Sequence, residues 1–347
     1  LRAIGYDITA HDAQCPGTMN SQSSFFFKNG FVIGSPDNAN IYRFELDGTT
    51  TSDIPLAPLD QSIRYTTFHH SIGLGKTGLL VIANATINGQ FRMESNLAEV
   101  ESEYSGKIIA EWDFATILTQ YMRNHGDDPS LFIYPGLIDW FHLNSAIYDP
   151  SDDSIIVSSR EDFIIKVDYK TGNIIWIFGD PTKYWYTFPS LRAKSIALSG
   201  SGDYPIGQHS LSFTRDGLLL MFNNGMPSMY QSAGSPAGAT LPYSIVAAYS
   251  IDGNSHTAHQ VWQYDHGQYP PPDLCSSVFQ SSDGSTLINY AVWPAAIKTY
   301  PRQITFATIV GLDSARQPSF EFQYLNGSFC TTSWAAQPLP FEALSFK

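Results

Sequence analysis

The sequence predicts an all-β fold, a six-bladed β-propeller of four-stranded antiparallel blades with loop insertions over one face. Three observations point to it: the composition, a strand-and-turn unit that repeats along the chain, and histidines that open equivalent strands in successive units. Charged residues make up 15% and aromatic residues 14% of the 347 residues, while glycine and proline occur 26 and 21 times. These values are typical of a loop-rich β protein, and not of a helical bundle or a disordered chain.

Short apolar or alternating runs follow one another along the whole chain. Many end at tight-turn signals such as Asp47-Gly48, Asp216-Gly217 and Asp252-Gly253, which favour hairpins. Grouped by these turns, the runs form units of four strands. The predicted strands cover residues 25–35, 41–47, 79–85, 107–114, 154–159, 163–169, 173–178, 218–223, 244–251, 260–264, 286–292, 304–310 and 320–324.

The repeated unit ends in an aromatic residue. Trp112, Trp176 and Trp262 hold this last place in three units, where we expect them to be packing residues. Four-stranded units with a closing aromatic residue are typical of β-propellers. Five units can be counted directly, and we expect the C-terminal strands and residues 2–9 to supply a sixth that closes the ring. Residues 1–347 are therefore predicted to form a single propeller domain.

The spacing of three histidines shows that segments are inserted between the strands. His70, His142 and His209 are 72 and 67 residues apart, whereas a bare blade has about 40–50 residues. We expect the surplus to cover one face of the propeller, because loops commonly carry ligand sites. The inserted segments are residues 88–105, 116–138, 181–207 and 226–241, and a short helix is predicted over 115–124.

The charge balance narrows the range of partners. The chain has 19 basic and 32 acidic residues, for a formal net charge of −13. A field of this sign repels nucleic acids and anionic membranes, so neither is expected as a partner. No apolar run reaches the about 18 residues needed to span a bilayer. An anionic substrate would need a local positive site.

Such a site is predicted where the three histidines meet. Each of them precedes the same strand, turn and strand pattern, and equivalent positions of repeated units converge on the axis of a closed ring. Arg160 ends a strand of one of these units and would add a guanidinium. Three imidazoles and a guanidinium suit a small anion. His69 is expected to point outward, because the register that turns His70 inward turns its neighbour away.

Several motifs resemble the bacterial arylsulfate sulfotransferase family. They are H-H at 69–70, D-W-F-H-L-N-S at 139–145, S-S-R at 158–160, the run at 164–179 and G-Q-H-S-L-S-F-T-R-D-G-L-L-L-M-F-N-N-G at 207–225. The resemblance covers about residues 65–225. It implies a six-bladed propeller that is periplasmic or secreted and transfers a sulfuryl group from an aryl sulfate donor to a phenolic acceptor. It also implies that no cofactor is needed, and it leaves a homodimer open.

The resemblance also implies roles for individual residues. His209 matches the family's covalent nucleophile, and His142 and His70 match its other functional histidines. Asn144 and Arg160 match its substrate-binding asparagine and arginine. The chain departs from the family in two respects: no cysteine lies between Arg160 and His209, where members commonly carry a disulfide-bonded loop, and the N-terminal β-domain that some members place before the propeller is absent or cut off. The cysteines are Cys15, Cys275 and Cys330, and both a Cys275–Cys330 bridge and three unpaired thiols remain open.

Independently of the family resemblance, the chemistry of the same residues is suited to sulfuryl transfer. The reaction needs a nucleophile, positively charged groups that face the sulfuryl oxygens, and an acid that protonates the departing phenolate. His209 could be the nucleophile, Arg160 and Asn144 could bind the oxygens, and His70 could shuttle the phenolic proton. Two alternatives remain: a metal-dependent lyase or hydrolase in which the three histidines bind a divalent ion, and a non-catalytic anion-binding propeller. Arg160 argues against a cation, so no metal is expected.

Overall fold

A computed structural model of the chain describes residues 23–35, 38–46, 50–134, 136–267, 275–291, 305–326 and 335–338. These residues form mainly antiparallel strands in five sheets, with two short α-helices between them. The predicted all-β propeller of four-stranded blades is therefore confirmed. No helix in the ranges just given is long and apolar enough to cross a membrane.

The first two sheets come from the first third of the chain. In each, hairpins place consecutive strands side by side in sequence order. Sheet 1 consists of β1 (Ser23–Phe27), β2 (Gly30–Gly34), β3 (Asn40–Glu45) and β4 (Thr50–Pro55). Sheet 2 consists of β5 (Ile63–Leu74), β6 (Leu79–Ile87), β7 (Gln90–Arg92), β8 (Asn96–Ser102) and β9 (Ser105–Asp113), and β7 pairs only with β6.

A helix links the second sheet to the third. The predicted helix over 115–124 is confirmed as α1 (Phe114–Asn124), which begins where the Asp113 carboxylate accepts a hydrogen bond from the backbone N–H of Ala115. A 3₁₀ turn follows at Pro129–Leu131. Sheet 3 then consists of β10 (Leu143–Asp149), β11 (Ser154–Ser159), β12 (Ile164–Asp168) and β13 (Ile174–Phe178).

The fourth sheet contains a parallel strand from the insertion before it. This insertion forms a 3₁₀ turn (Tyr184–Thr187), helix α2 (Pro189–Arg192) and β14 (Ala197–Leu198), and β14 pairs in parallel with the outermost strand of sheet 4. The other strands of sheet 4 are β15 (His209–Phe213), β16 (Leu219–Asn223), β17 (Ile245–Asp252) and β18 (Thr257–Tyr264). Sheet 5 consists of β19 (Ser277–Gln280), β20 (Thr286–Ala291), β21 (Thr305–Leu312) and β22 (Pro318–Asn326).

The sheets pack face to face as blades around a common axis. Four apolar clusters fill the spaces between sheets 1 and 2, 2 and 3, 3 and 4, and 4 and 5. The first strands of neighbouring blades lie next to one another, β1 beside β5, β5 beside β10, β10 beside β15 and β15 beside β19. The three tryptophans predicted to close the units, Trp112, Trp176 and Trp262, are buried in these clusters, as expected.

The predicted number of six blades is wrong for the described part of the chain, which forms five. The C-terminal strands that we expected to share with a sixth blade are all used in sheet 5. Residues 2–9, the other half of the expected blade, lie outside the described residues. Residues 335–338 connect the first and fifth blades, because the Phe26 N–H donates to Gln337 Oε1 (3.4 Å) and the Ala336 N–H donates to Ser277 Oγ (3.0 Å).

Candidate active site

The innermost strands carry matching backbone irregularities where the histidines stand. The pairing register shifts between Phe68 and Ile72, between Leu143 and Ser145, and between His209 and Ser212. His70 and His142 have left-handed φ values of 50° and 49°, and Ser210, directly after His209, has a φ of 56°. Such bulges re-aim side chains and are frequent next to active sites. Each costs on the order of 1 kcal/mol or more, so the surrounding structure must enforce it.

The three predicted histidines come together on the propeller axis. The Nε2 atoms of His70 and His142 lie 2.8 Å apart. The His209 ring centroid lies 5.9 Å from that of His70 and 6.3 Å from that of His142. His142 and His209 are only 7% and 3% exposed. Sequence register alone thus located the centre of the site.

His209 is held as a neutral imidazole in one tautomer. Its Nδ1 lies 2.8 Å from Asn224 Oδ1 and 3.1 Å from the Gly207 carbonyl oxygen, and both are acceptors, so Nδ1 carries the proton. Its Nε2 accepts a hydrogen bond from the Cys275 backbone N–H at 3.3 Å. Burial, with His70, His142 and Arg160 nearby, lowers the pKa of His209 well below its usual value. The ring's lone pair is therefore on Nε2, where it accepts the Cys275 N–H in this structure and becomes available to an electrophile when that bond opens.

His142 has the opposite environment, because two carboxylates face its Nδ1. Asp139 Oδ2 is hydrogen-bonded to it, and Glu94 Oε2 lies 2.9 Å away. Burial disfavours the imidazolium, but Asp139 and Glu94 outweigh it and raise the pKa of His142 to about 10. His142 is therefore a cation at neutral pH.

His70 is neutral and stands between the other two. Burial and the adjacent His69 lower the pKa of His70 to about 3. Since His142 is protonated, its Nε2–H donates to His70 Nε2 across the 2.8 Å contact. The cluster therefore contains one imidazolium, His142, and two neutral imidazoles.

The prediction that His69 points outward is wrong. Its Nε2 lies 2.6 Å from Glu94 Oε1, and its ring packs against that of His70 with centroids 4.3 Å apart. The bulge explains the error, because the left-handed backbone at His70 breaks the alternation of side chains on which the prediction relied.

Arg160 adjoins the cluster. It is fully buried, and its backbone N–H donates to the His142 carbonyl oxygen at 3.0 Å. Its Nη1 lies 2.5 Å from Glu161 Oε1. Its positive charge is one of the causes that lower the pKa of His209. Glu161 Oε2 in turn accepts the backbone N–H groups of Met229 and Tyr230, so this pair also anchors the insertion at 226–241.

Asn144 ties two blades together. Its Nδ2 donates to the Gln208 carbonyl oxygen at 2.7 Å, which fixes the segment directly before His209. The side chain also lines the central cavity. Sequence reasoning gave Asn144 a role toward substrate, and the structure adds a role in placing the nucleophile candidate.

A cavity of about 320 Å³ runs along the axis and is lined by residues of the inner strands. His70, Asn144, His209 and Cys275 give it a polar end. Its remaining wall is largely apolar, with Phe25, Ile72, Leu74, Ile147, Leu211, Phe213 and Phe279. A cavity with one polar end and an apolar wall suits an aromatic ring that carries an anionic group.

Three residues at the site were missed or undervalued by sequence reasoning. Glu94 falls within the predicted insertion at 88–105, and Asp139 and Asn224 fall within the motifs at 139–145 and 207–225, which give them no role of their own. The one signal that pointed to any of them was the position of Asp139 three residues before His142. Glu94 comes from a distant segment, so no local pattern reveals it.

The cluster also has the donor spacing of a metal site. The ring nitrogens of His70, His142 and His209 lie within 4.8 Å of one another, and Glu94 forms similar groups with His69 and His70 or with Asp139 and His142. The charge state does not fit a cation, because His142 is protonated and the Arg160 guanidinium is close to His209. Cys275 is buried and burial raises its pKa, while Cys15 and Cys330 lie outside the described residues, so the predicted disulfide is not tested.

The fold and the site define a β-propeller with a cluster of buried imidazoles on its axis. Residues 15–334 match the Arylsulfotransferase (ASST) family, and the chain belongs to this family. It is 27% identical over 238 residues to the arylsulfate sulfotransferase AssT of Escherichia coli O6:H1, covering 55% of this chain and 38% of that protein. It is 30% identical over 141 residues to AssT of Lelliottia amnigena, covering 36% and 23%.

The chain thus spans well under half the length of these curated relatives. Among solved structures, a member of the duf4221 family from Bacteroides vulgatus covers 90% of this chain and 83% of its own, at 10% identity and a TM-score of 0.44. A likeness at this score adds nothing to the fold or the function.

Proposed function

We propose that the protein is an aryl sulfotransferase that moves a sulfuryl group from a phenolic sulfate ester to a phenolic acceptor, through a covalent intermediate on His209. The observation that carries the proposal is the neutral His209 imidazole, which lines the central cavity with its proton on Nδ1 and lies beside the His142 imidazolium. Membership of the family and the names of the two curated relatives support the substrate class.

In the first half-reaction, His209 Nε2 attacks the sulfur of the aryl sulfate. The S–N bond forms as the bond from sulfur to the phenolic oxygen breaks. The phenolic oxygen takes the Nδ1 proton of His70, and the His142 Nε2 proton passes to His70 Nε2. Attack is possible because Nδ1, not Nε2, carries the proton, and Asn224 Oδ1 stabilises the positive charge that develops on the ring. Two steps with a covalent intermediate replace one difficult displacement.

In the second half-reaction, the acceptor phenol attacks the same sulfur. Its proton passes to His70 Nδ1 and the proton on His70 Nε2 returns to His142, as the S–N bond breaks and a new S–O bond forms, which restores the starting enzyme. Donor and acceptor thus use the same site in turn, as a ping-pong mechanism requires.

The reaction also requires fixed positive charge in the protein close to the sulfuryl oxygens. Transfer spreads negative charge over these oxygens, as in phosphoryl transfer. The Arg160 guanidinium provides this fixed charge from a buried position, where it acts strongly, and His142 adds to it while it is protonated. No metal or cofactor enters this scheme.

The apolar wall of the cavity accounts for the aryl group of the substrates. Phe25, Leu211, Phe213 and their neighbours can contact a ring, while the polar end takes the sulfate. We further propose a periplasmic or secreted location and a single propeller domain over residues 1–347. A homodimer stays a prediction.

The covalent intermediate is the sharpest test. The protein is mixed with 4-nitrophenyl sulfate without acceptor and analysed by intact-mass spectrometry and peptide mapping. We expect a mass increase of one sulfuryl group on the peptide that contains His209, with one equivalent of 4-nitrophenol released in a burst. Release of the phenol with no adduct, or an adduct on another residue, would contradict the proposed mechanism.

A further inference from the structure

Glu94 lies at the centre of the charged side of the site. Its Oε1 is 2.6 Å from His69 Nε2, and its Oε2 is 2.9 Å from His142 Nδ1 and 3.5 Å from His70 Nε2. Thus one carboxylate contacts three imidazoles. It is only 6% exposed, so water screens these contacts little.

The backbone holds this carboxylate in place. The Glu94 N–H donates to Asn84 Oδ1 at 2.8 Å, and the Glu94 carbonyl oxygen accepts the Leu143 N–H at 2.7 Å. The second bond ties Glu94 directly to the residue after His142. Glu94 also adopts a φ of 43°, a left-handed conformation that costs on the order of 1 kcal/mol for a residue with a side chain. A strained, doubly bonded backbone at a buried charge is typical of a functional site.

The charge of the pair of carboxylates resides mainly on Glu94. Burial opposes its ionisation, but His142 and His69 outweigh burial and lower the pKa of Glu94 well below its usual value. Burial raises the pKa of Asp139, and the charge of Glu94 adds to the increase. Glu94 therefore remains an anion beside His142 and His69 although it is buried.

We propose that Glu94 is the positioning residue of the proton-handling side of the site: it joins His69, His70 and His142 and keeps His142 as the proton donor to His70. This inference rests on the proposed function. Glu94 lies outside the repeated histidine motif. In this proposal it keeps His142 protonated, so that a proton is available for the departing phenol.

The proton follows a defined route. When the S–O bond to the leaving phenol breaks, its oxygen takes a proton from His70, and the proton on His142 Nε2 passes to His70 Nε2 across the 2.8 Å contact. His142 is then neutral until the acceptor phenol returns a proton by the same route. Phenol and the His142 imidazolium are matched for this exchange, because phenolic hydroxyls have pKa values of about 10 and that of His142 is also about 10.

The groups that act on His142 are identified. Asp139 and Glu94 face its Nδ1, and His70 faces its Nε2. The rings of His69 and His209 lie with centroids 6.1 Å and 6.3 Å away. Asp139 and Glu94 both supply counter-charge to His142, and of the two only Glu94 also lies against His69 and His70.

The test compares donors that differ in the acidity of the leaving phenol. Glu94→Gln keeps the size of the side chain and removes its charge. We expect transfer from phenyl sulfate to fall by about 10²-fold or more, the usual contribution of general acid catalysis. Transfer from 4-nitrophenyl sulfate should fall by a much smaller factor, because 4-nitrophenolate is a better leaving group and needs less proton donation.

Matched variants separate this effect from a loss of structure. Glu99→Gln removes another buried glutamate of sheet 2, which binds Thr77 and Tyr169, and should leave the ratio between the two donors unchanged. Glu94→Asp keeps a carboxylate and should restore part of the ratio. As a readout without activity, NMR titration of labelled histidines should show the His142 resonance titrating at lower pH in Glu94→Gln than in the wild type.

The possible results are distinct. Equal losses for both donors in Glu94→Gln, or an unmoved His142 titration, would overturn the role of Glu94. If the wild type transfers sulfuryl from neither donor, the proposed function fails, and the NMR titration alone then decides whether Glu94 holds the proton on His142.

Discussion

His209 and His142 stand on equivalent strands of neighbouring blades, yet one is neutral and the other is a cation. Only their surroundings differ. The Nδ1 of His209 faces neutral acceptors, the amide oxygen of Asn224 and the Gly207 carbonyl oxygen. The Nδ1 of His142 faces two carboxylates, Asp139 and Glu94. Neutral acceptors fix the tautomer without charging the ring, whereas the carboxylates raise the pKa of His142 to about 10.

This contrast shows how a repeat fold can divide chemical roles. The bulged inner strand places an imidazole on the axis in each of three blades, so the repeat supplies three similar groups. The partners come from segments that differ between blades: Glu94 after β7, Asp139 after α1 and Asn224 after β16. In the proposed mechanism, these different partners make one histidine the nucleophile and another the proton donor.

The largest effect is expected from removing the neutral histidine. His209→Ala should lower sulfuryl transfer by on the order of 10⁴–10⁶, because no other described group has an unprotonated ring nitrogen held in this way at the cavity. Burst kinetics and steady-state turnover with 4-nitrophenyl sulfate measure it. His125→Ala, at an exposed histidine after α1, is the control and should retain the wild-type rate.

Turnover near the wild-type rate in His209→Ala would remove the distinction between the two histidines. The result would show that the nucleophile lies elsewhere and that the neutral tautomer of His209 has a purely structural purpose.

A smaller but still large effect is expected at Arg160. Arg160→Lys keeps the charge but loses the planar fork that can bind two oxygens of a tetrahedral anion. We expect the rate of adduct formation to fall by about 10²–10³-fold, as when one charge-stabilising donor is removed from an active site. Arg215→Lys, at an exposed turn, is the matched control.

Because Arg160 also pairs with the buried Glu161, folding of the variant must be measured separately. If Arg160→Lys has a thermal unfolding midpoint and a rate of adduct formation close to those of the wild type, Arg160 only helps to anchor the insertion at 226–241 and does not act on the substrate.

Most of the fold and half of the site follow from patterns that repeat in the sequence. The hairpin signals and closing tryptophans predict the blades, and the matched register predicts that His70, His142 and His209 converge. The predicted number of six blades is wrong for the described residues, because the sequence pattern of a strand does not reveal which sheet the strand joins. Glu94 and the inward position of His69 could not be predicted, since both depend on left-handed backbone residues that break the alternation of a strand.

The smallest effect is expected from metal removal, which tests whether His142 is protonated. The ring nitrogens of His70, His142 and His209 are close enough together to hold a divalent ion. Binding would require His142 to lose its proton against the field of Glu94 and Asp139 and would place a cation near Arg160. We therefore expect the transfer rate to be unchanged after dialysis against EDTA, measured with 4-nitrophenyl sulfate and phenol. A rate that is lost in EDTA and restored by a transition metal would mean that the carboxylates hold a metal-bound, neutral His142. Sulfuryl transfer would then depend on a metal, and His142 could not act as the proton donor.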